Sequence, residues 1–329
     1  MAAVILAGDV GGTKTHLGLY RAEGGKLAPI RDHIYLTRNF KSLADACADF
    51  LRASDGQIQA ACFGVPGPVI ESQAHATNVA WEMREAALTQ ALKGIPVRLI
   101  NYLGATAYGV IHLDESEVCV LQRGGYRLHA GDIAVIAAGT GLGEAALVFE
   151  KGRYYAVASE GGHSDFAPRN EEQFELWKFL ANEYGHVSVE RVLSGPGLVN
   201  IYRFLRARSP NPEPAWLRSL IDSRDAAEAI SEAALDRRDG ECVHSLEMFV
   251  DIYGAEAGNL ALKVLALGGV YLGGGIAPKI LRVLQDGTFV RAFNDKGRLA
   301  EILSKIDVRV SLNQSAALLG AAHCAATML

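Results

Sequence analysis

The stretch of sequence that decides the fold is Gly8-Asp9-Val10-Gly11-Gly12-Thr13-Lys14-Thr15. The short apolar run Ala3–Ala7 leads into it, and Leu17 and Leu19 occupy alternate positions after it. Apolar runs and alternation of this length are typical of β-strands, and glycines between them mark a turn. The stretch therefore predicts a strand, a tight glycine turn and a second strand.

A similar arrangement recurs about 130 residues downstream, at the spacing of a large internal repeat. There, Ile133–Ala137 leads into Gly139-Thr140-Gly141-Leu142-Gly143, and the apolar run Ala145–Phe149 follows. Two such units indicate a duplicated lobe rather than one continuous sheet. The chain has 329 residues. Because a single core rarely grows beyond about 250–300 residues, two lobes are expected on length as well.

The glycine turns are candidate phosphate-binding sites. Glycine lets the backbone approach a phosphate closely and direct its amides toward it. Asp9, at the end of the first strand, is placed to hold Mg²⁺ through water. A lone G-x-G-G would be typical of a plain β-hairpin turn. Asp9 before the turn, Thr13 after it and the second copy at Gly139–Gly143 favour the phosphate site.

Two other nucleotide-binding motifs do not fit. A Rossmann G-x-G-x-x-G opens a helix, whereas the residues after Gly12 alternate like a strand. A Walker A loop needs G-x-x-x-x-G-K-[ST], which the sequence lacks. Nucleotide on hairpin turns is typical of the actin and sugar-kinase superfamily. The third glycine cluster, Gly273-Gly274-Gly275, would then flank the adenosine at the start of a helix, or serve only strand-to-helix packing.

Capping patterns predict several helices between these strands. Ser42, with Asp45 three residues later, predicts a helix through about Ala53, and Asn170 predicts one over Glu171–Tyr184 with Gly185 as its stop. Further helices are predicted from Asp222 or Ser223 towards Asp239, from Val243 to Leu267 and from Ser315 to Met328.

Composition excludes several classes of protein. Charged residues make up 21% of the chain and the net charge is −5, with no basic block for nucleic acid or an anionic membrane.

The longest apolar stretch, Leu260–Ile276, contains Lys263 and several glycines, which disfavours a membrane span. The N-terminus lacks the basic start of a signal peptide. The five cysteines are scattered without a C-x-x-C pair, which favours a reducing compartment, and a cytoplasmic protein is expected.

The segment Ser159-Glu160-Gly161-Gly162-His163 combines a carboxylate, two glycines and an imidazole. Recognition of a hexose needs hydrogen-bond acceptors and donors for adjacent hydroxyls, and Glu160 and His163 supply both. Their clustering on a glycine-bent loop favours a sugar-binding function over a structural one. Glu190 is a second candidate, and an ion pair at the surface with Arg191 is the alternative for it.

At these residues the chain resembles the bacterial glucokinase family along nearly its whole length. The matching motifs, in chain order, are Gly8–Thr13, Gly64-Val65-Pro66-Gly67-Pro68, Thr77-Asn78 with Trp81, Gly139–Gly143, Glu160-Gly161-Gly162-His163, Gly185–Gly197, Gly273–Pro278 and Leu318-Leu319-Gly320-Ala321-Ala322. The related ROK sugar kinases carry a cysteine-rich zinc motif beyond the glucose loop. Because no cysteine lies between Cys119 and Cys242, the resemblance is to the zinc-free glucokinases.

The resemblance implies an α/β, two-lobed fold of the actin-like ATPase or hexokinase type, which is ribonuclease H-like, with ATP and sugar in the cleft between the lobes. It implies a smaller lobe of residues 1–107 plus about 311–329, a larger lobe of residues 108–310, and a homodimer. The activity implied is transfer of the γ-phosphoryl group of ATP, with Mg²⁺, to the 6-hydroxyl of glucose.

The resemblance also assigns residues by position. The residues that would hold the sugar hydroxyls are Asn101, Glu160, His163 and Glu190, with Asn78 supporting the cleft. Those that would face the nucleotide are Gly8, Asp9, Val10, Gly11, Gly12, Thr13, Gly139, Thr140, Gly141 and Gly274.

One position departs from the family. After the strand Leu99-Ile100-Asn101 the family has an aspartate, which accepts the proton of the attacking sugar hydroxyl. This chain has Tyr102 there. A phenol with a pKa near 10 is protonated at neutral pH, so it donates a hydrogen bond but is a poor proton acceptor. A positioned base contributes roughly 10²–10⁴ in rate, so impaired turnover is expected. An engineered change, a natural loss of activity and a local rearrangement all remain open as its origin.

Three hypotheses for the function follow. The first is an active or residually active glucokinase, the second a non-catalytic protein that binds glucose or nucleotide, and the third a kinase for another hexose. A DNA-binding regulator is disfavoured because no N-terminal helix-turn-helix precedes the first strand.

Overall fold

The computed structural model describes residues 3–52, 57–75, 79–126 and 130–329. The chain forms two compact units. One comprises Met1–Glu117, Ala145–Ala158 and Asn313–Leu329, and the other comprises Val118–Glu144 and Ser159–Leu312.

The strands of the described residues are β1 (Ala3–Val10), β2 (Lys14–Glu23), β3 (Lys26–Leu36), β4 (Ile58–Val65), β5 (Val69–Ile70), β6 (Gln73–Ala74), β7 (Met83–Arg84), β8 (Val97–Asn101), β9 (Val118–Gln122), β10 (Ile133–Ala138), β11 (Leu142–Glu150), β12 (Arg153–Ser159), β13 (Gly269–Gly273) and β14 (Val308–Ser311).

The α-helices are α1 (Leu43–Leu51), α2 (Glu85–Ala91), α3 (Tyr102–Val110), α4 (Glu171–Tyr184), α5 (Gly195–Arg208), α6 (Ala215–Ser223), α7 (Ala226–Leu235), α8 (Gly240–Val264), α9 (Ile276–Lys279), α10 (Leu281–Leu284), α11 (Thr288–Asn294), α12 (Ala300–Leu303) and α13 (Ala316–Ala326). Over the ranges that the structure describes, no helix is long and apolar enough to cross a membrane.

Both predicted β–turn–β units are confirmed, and each begins a sheet of the same topology. The first sheet has the order β3-β2-β1-β4-β8, and the second has the order β12-β11-β10-β13-β14 with β9 added at its edge. In the first sheet β1 is antiparallel to β2 and parallel to β4, which is parallel to β8. In the second, β10, β13 and β14 are likewise parallel. Each sheet therefore has the strand order 3-2-1-4-5, counted along its own part of the chain.

The first sheet is covered on both faces. On one face Leu6 and Phe63 pack in a cluster with residues of α1 and α2. On the other face Ile5, Cys62 and Leu318 pack together, so that α13 covers this side. Burial on both faces explains why β1 and β4 are continuous apolar runs rather than alternating ones.

Helices whose caps are local in sequence were predicted well. The Ser42 side chain accepts a hydrogen bond from Asp45 N at 3.1 Å and begins α1. Asn170 caps α4 in the same way, through Gln173 N at 2.9 Å. Gly185 follows α4 with φ of 70°, a left-handed conformation that glycine adopts without strain.

Two predicted helix boundaries were wrong. Asp222 and Ser223 do not begin a helix, because they form the last turn of α6, and Asp225 caps α7 instead. Helix α8 begins at Gly240, capped by Asp239, and ends at Val264 rather than Leu267. It ends early because Leu265 adopts a left-handed conformation with φ of 47°.

Helices α3 and α13 cross at glycines, where their backbones touch. A Cβ added to Gly109 of α3 would overlap the carbonyl group of Ala316, whereas one added to Gly104 of the same helix would meet only Ala156 Cβ at 3.7 Å. We therefore expect Gly109→Ala to lower the free energy of unfolding by about 3 kcal/mol, the upper part of the overpacking range. Urea unfolding followed by circular dichroism measures this change.

Gly104→Ala is the matched control for Gly109→Ala, because both replace glycine in α3. We expect it to leave stability unchanged or to raise it by up to about 1 kcal/mol through helix propensity. Equal urea midpoints for the two variants would contradict the backbone contact.

Candidate active site

The first glycine turn joins β1 to β2 and leaves its tip exposed. Gly11 N donates to Lys14 O at 2.8 Å and closes the turn, while Gly12 and Thr13 are exposed. Thr37 holds the turn from behind. Its hydroxyl donates to Gly11 O at 2.7 Å, and its N–H donates to Thr13 O at 3.0 Å. The sequence carried no signal for Thr37, because this contact joins parts of the chain that only the β2–β3 pairing brings together.

Asp9 lies beside this turn, opposite His16 in the β1–β2 ladder. Burial raises the pKa of Asp9 to about 6, and the charge of His16 partly offsets that rise. The His16 ring in turn contacts Asp32 at 2.6 Å. Asp9 is therefore mostly ionised at neutral pH, with the His16 imidazole beside it.

A hydrated Mg²⁺ ion fits this carboxylate. Mg²⁺ keeps several waters and is usually held by one or two carboxylates together with substrate phosphates. Within the described ranges no group of three or more His, Cys, Asp or Glu side chains is arranged to bind a metal. A site built from Asp9, water and phosphate oxygens would need no such group.

Asn101 is the last residue of β8 and the cap of α3, which begins at Tyr102. The Asn101 side chain accepts from Leu103 N at 2.7 Å as the helix cap, and its Nδ2 donates to Gly67 O at 2.9 Å. These two bonds fix the amide and tie it to the Gly64–Pro68 motif. An amide has two donor hydrogens and two acceptor lone pairs, so capacity for a sugar hydroxyl remains.

Tyr102 lies in the same unit as Asp9 and is half-buried. Burial, together with the negative charge of Asp9, raises the pKa of Tyr102 to about 12. The phenol is therefore protonated throughout the physiological range and cannot accept a proton from a sugar hydroxyl. Its surroundings therefore raise the pKa of Tyr102 further above neutral pH, and the effect of Tyr102 on turnover stays a prediction.

The second glycine turn joins β10 to β11. Gly139 N donates to Gly141 O at 2.9 Å, and Gly139 O accepts from Gly195 N at 2.8 Å. Thr140 is exposed. Gly274 has φ of 78°, and a Cβ there would overlap the carbonyl of Ala138. Close packing thus requires this glycine, and its contact with adenosine stays a prediction.

Glu190 contacts the second turn directly. Its Oε2 accepts from Leu142 N at 2.8 Å, and a Cβ on Gly141 would lie 2.6 Å from that oxygen. Arg191 stacks over the Tyr184 ring at 4.0 Å. The surface ion pair between Glu190 and Arg191 is not found among the described residues, and Glu190 is oriented toward the turn instead.

The loop with Glu160 and His163 is joined to the Glu190 segment by backbone hydrogen bonds. Val189 N donates to Ser164 O at 2.9 Å, and Phe166 N donates to Val187 O at 3.0 Å. Glu160 and His163 themselves are exposed. This pairing brings three predicted sugar-binding residues, Glu160, His163 and Glu190, to the end of the sheet where the second glycine turn lies.

A further carboxyl group, that of Glu144, lies beneath this loop and was not predicted. It is on β11, directly after the second turn, and is only 1% exposed. A Cβ on Gly161 would overlap its Oε2. The available signal was a charged residue inside an otherwise apolar strand, which is rare unless the charge is paired or neutralised.

The predicted site residues therefore fall into two groups, each described within its own unit. One unit brings together Asn101, Tyr102 and the Gly8–Thr13 turn with Asp9. The other brings together Gly139, Thr140, Gly141, Glu160, His163, Glu190 and Gly274. Asn78 lies outside the described residues.

Two sheets of 3-2-1-4-5 order, each with a glycine turn between its first two strands, define the ribonuclease H-like fold of actin-like ATPases and sugar kinases. Solved structures bear this out. The glucokinase from an Antarctic psychrotroph has a TM-score of 0.87 at 31% identity, over 98% of this chain and 99% of that one. A ROK family glucokinase from Streptomyces griseus, solved with glucose and AMPPNP, has a TM-score of 0.65 at 22% identity, over 99% of this chain and 100% of that one.

Sequence comparison identifies the family. The glucokinase family model matches residues 6–328. A glucokinase from Nostoc sp. is 41% identical over 99% of each chain. This chain therefore belongs to the glucokinase family of hexokinase-type phosphotransferases.

Proposed function

We propose that this chain binds ATP and glucose and transfers the γ-phosphoryl group to the glucose 6-hydroxyl. The observation that carries the proposal is the hydrogen bond from Leu142 N to Glu190 Oε2 at 2.8 Å. It makes the second glycine turn and a sugar-binding carboxylate parts of one structural element. Glu160 and His163, on the loop paired with this segment, supply the remaining acceptor and donor for sugar hydroxyls.

The residues of the first unit would act on the phosphates. The Gly11–Thr13 tip presents backbone amides, which suit phosphate oxygens. Asp9 would hold Mg²⁺ through water, and a bound Mg²⁺ would neutralise charge on the β- and γ-phosphates. We also propose that the lobe boundaries lie near residues 107 and 311 and that the protein is a cytoplasmic homodimer.

A coupled assay for ADP formation tests the proposed function. We expect ADP to form only when glucose, ATP and Mg²⁺ are all present, and mannose and N-acetylglucosamine to compete weakly with glucose. Preference for one of these other sugars would identify a kinase for a different hexose. ADP formation independent of any sugar would contradict a hexose kinase.

Tyr102 supports a second candidate function, a glucose- or nucleotide-binding protein without turnover. The raised pKa of Tyr102 leaves the expected base position without a proton acceptor. This candidate predicts glucose binding in calorimetry without ADP formation. Absence of both binding and turnover would count against both candidates.

A further inference from the structure

Glu144 forms a buried carboxyl pair with Glu256 of α8. The two side chains are 1% and 7% exposed, and their carboxyl groups lie within hydrogen-bonding reach of each other. No N–H or O–H donor of the described residues reaches Glu144 Oε1. A hydrogen bond between two carboxyl groups requires a proton on one of them.

The surroundings place the negative charge on Glu256 and the proton on Glu144. Asn259 Nδ2 donates to Glu256 Oε2 at 2.8 Å, and Lys263 Nζ lies 3.3 Å from Glu256 Oε1. Lys296 also acts on Glu256 electrostatically. Donors and cations stabilise the ionised form of the carboxylate that they face. Burial and the charge of Glu256 raise the pKa of Glu144 to about 7, against a smaller opposing effect of Lys263.

The same carboxyl group supports the sugar loop. A Cβ on Gly161 would overlap Glu144 Oε2, and one on Gly162 would overlap the Leu142 carbonyl to the same extent. Gly161 is flanked in sequence by Glu160 and is two residues from His163. Any movement of the Glu144 carboxyl group is therefore transmitted directly to the two residues proposed to bind glucose.

We propose that Glu144 is a positioning residue for glucose: while protonated it bridges Glu256 and the turn at Gly161, and loss of its proton loosens the Glu160–His163 loop. This inference rests on the proposed function for its ligand. When the proton leaves, two buried carboxylates face each other and repel. The Glu144 side chain must then withdraw, and Gly161 loses its support.

Glucose binding is therefore expected to weaken as pH rises through about 7. We expect the calorimetric Kd for glucose to increase about tenfold between pH 6 and pH 8.5, the equivalent of one pKa unit of linkage. In Glu144→Gln, whose amide stays neutral and can donate to Glu256, the increase should fall below about threefold. Glu256→Gln removes the repelling charge, and it should therefore also reduce the rise of the glucose Kd with pH.

The control is Glu213→Gln, a carboxylate of the same unit whose partners, Tyr202 Oη at 2.6 Å and Arg218, lie outside the loop. It should keep the wild-type profile. His163 and the His186–Asp165 pair also lie on or beside the loop, and they are common to all variants. If the Kd of Glu144→Gln for glucose rises with pH as much as that of the wild type, the proposal is overturned.

Hydrogen exchange in the ligand-free protein separates this inference from the proposed function. After correction for intrinsic exchange, amide protection over residues 159–165 should fall from pH 6 to pH 8.5 in wild type and Glu213→Gln but not in Glu144→Gln. If glucose does not bind but the fall in amide protection with pH disappears in Glu144→Gln, the glucokinase function fails and the proton-linked loop stands. If glucose binds and amide protection changes with pH equally in Glu144→Gln and in wild type, the glucokinase function stands and the proton-linked loop fails.

Discussion

Replacing Tyr102 by aspartate is expected to raise the rate of glucose-dependent ADP formation at least about tenfold, and by as much as the roughly 10²–10⁴-fold contribution of a positioned general base. The native phenol, with a pKa of about 12, holds its proton at every physiological pH. A carboxylate at the start of α3 would accept the proton of the attacking hydroxyl. The change also replaces the phenol ring by a smaller side chain.

The rate of ADP formation by the Tyr102→Asp variant is expected to depend on pH in one direction. Burial and the charge of Asp9, the causes that act on Tyr102, would raise the pKa of the new carboxyl group above its ordinary value. The rate should therefore rise with pH as that group ionises. Native activity should show no such step, because the phenol does not titrate in the accessible range.

Tyr102→Asn is the matched control, because asparagine has the shape of aspartate but no basic carboxylate. We expect it to stay near the wild-type rate, which separates the gain of a base from the loss of the ring. Equal rates for the aspartate and asparagine variants would show that the base position is assigned wrongly. Complete absence of glucose phosphorylation in Tyr102→Asp would have the same meaning.

Replacing Glu160 by alanine is expected to weaken glucose binding by roughly 10–150-fold, the equivalent of the 1.5–3 kcal/mol that a hydrogen bond to a charged group contributes. Glu160 is exposed and lies immediately before the short helical turn Gly161–His163. Because its side chain is exposed, the protein should remain folded and the effect should appear in the Kd. Isothermal titration calorimetry with glucose measures it without requiring turnover.

Glu171→Ala is the control for Glu160→Ala. Glu171 is an exposed carboxylate at the start of α4, in the same unit but outside the sugar loop. It should bind glucose as the wild type does. If Glu160→Ala binds glucose with wild-type affinity, the loop is not part of the binding site. Equal losses of glucose affinity in the two variants would indicate a nonspecific charge effect.

Features that depend on neighbours in sequence were predicted from the sequence. Both glycine turns are flanked by the strands that pair across them, so their alternation and turn residues are local. The caps at Ser42 and Asn170 bond to N–H groups three residues away. The local pattern was misleading at Asp222 and Ser223, which form the last turn of α6, while Asp225 caps α7.

The sequence by itself therefore determined the duplicated β–turn–β architecture and the family, and it predicted the departure at Tyr102. Only the tertiary structure decided the ionisation state of the groups at these sites. Asp9 acts on Tyr102 and Glu256 on Glu144 across large separations in the chain. The pKa of a buried group depends on its burial and on the charges beside it, and folding alone brings those charges together.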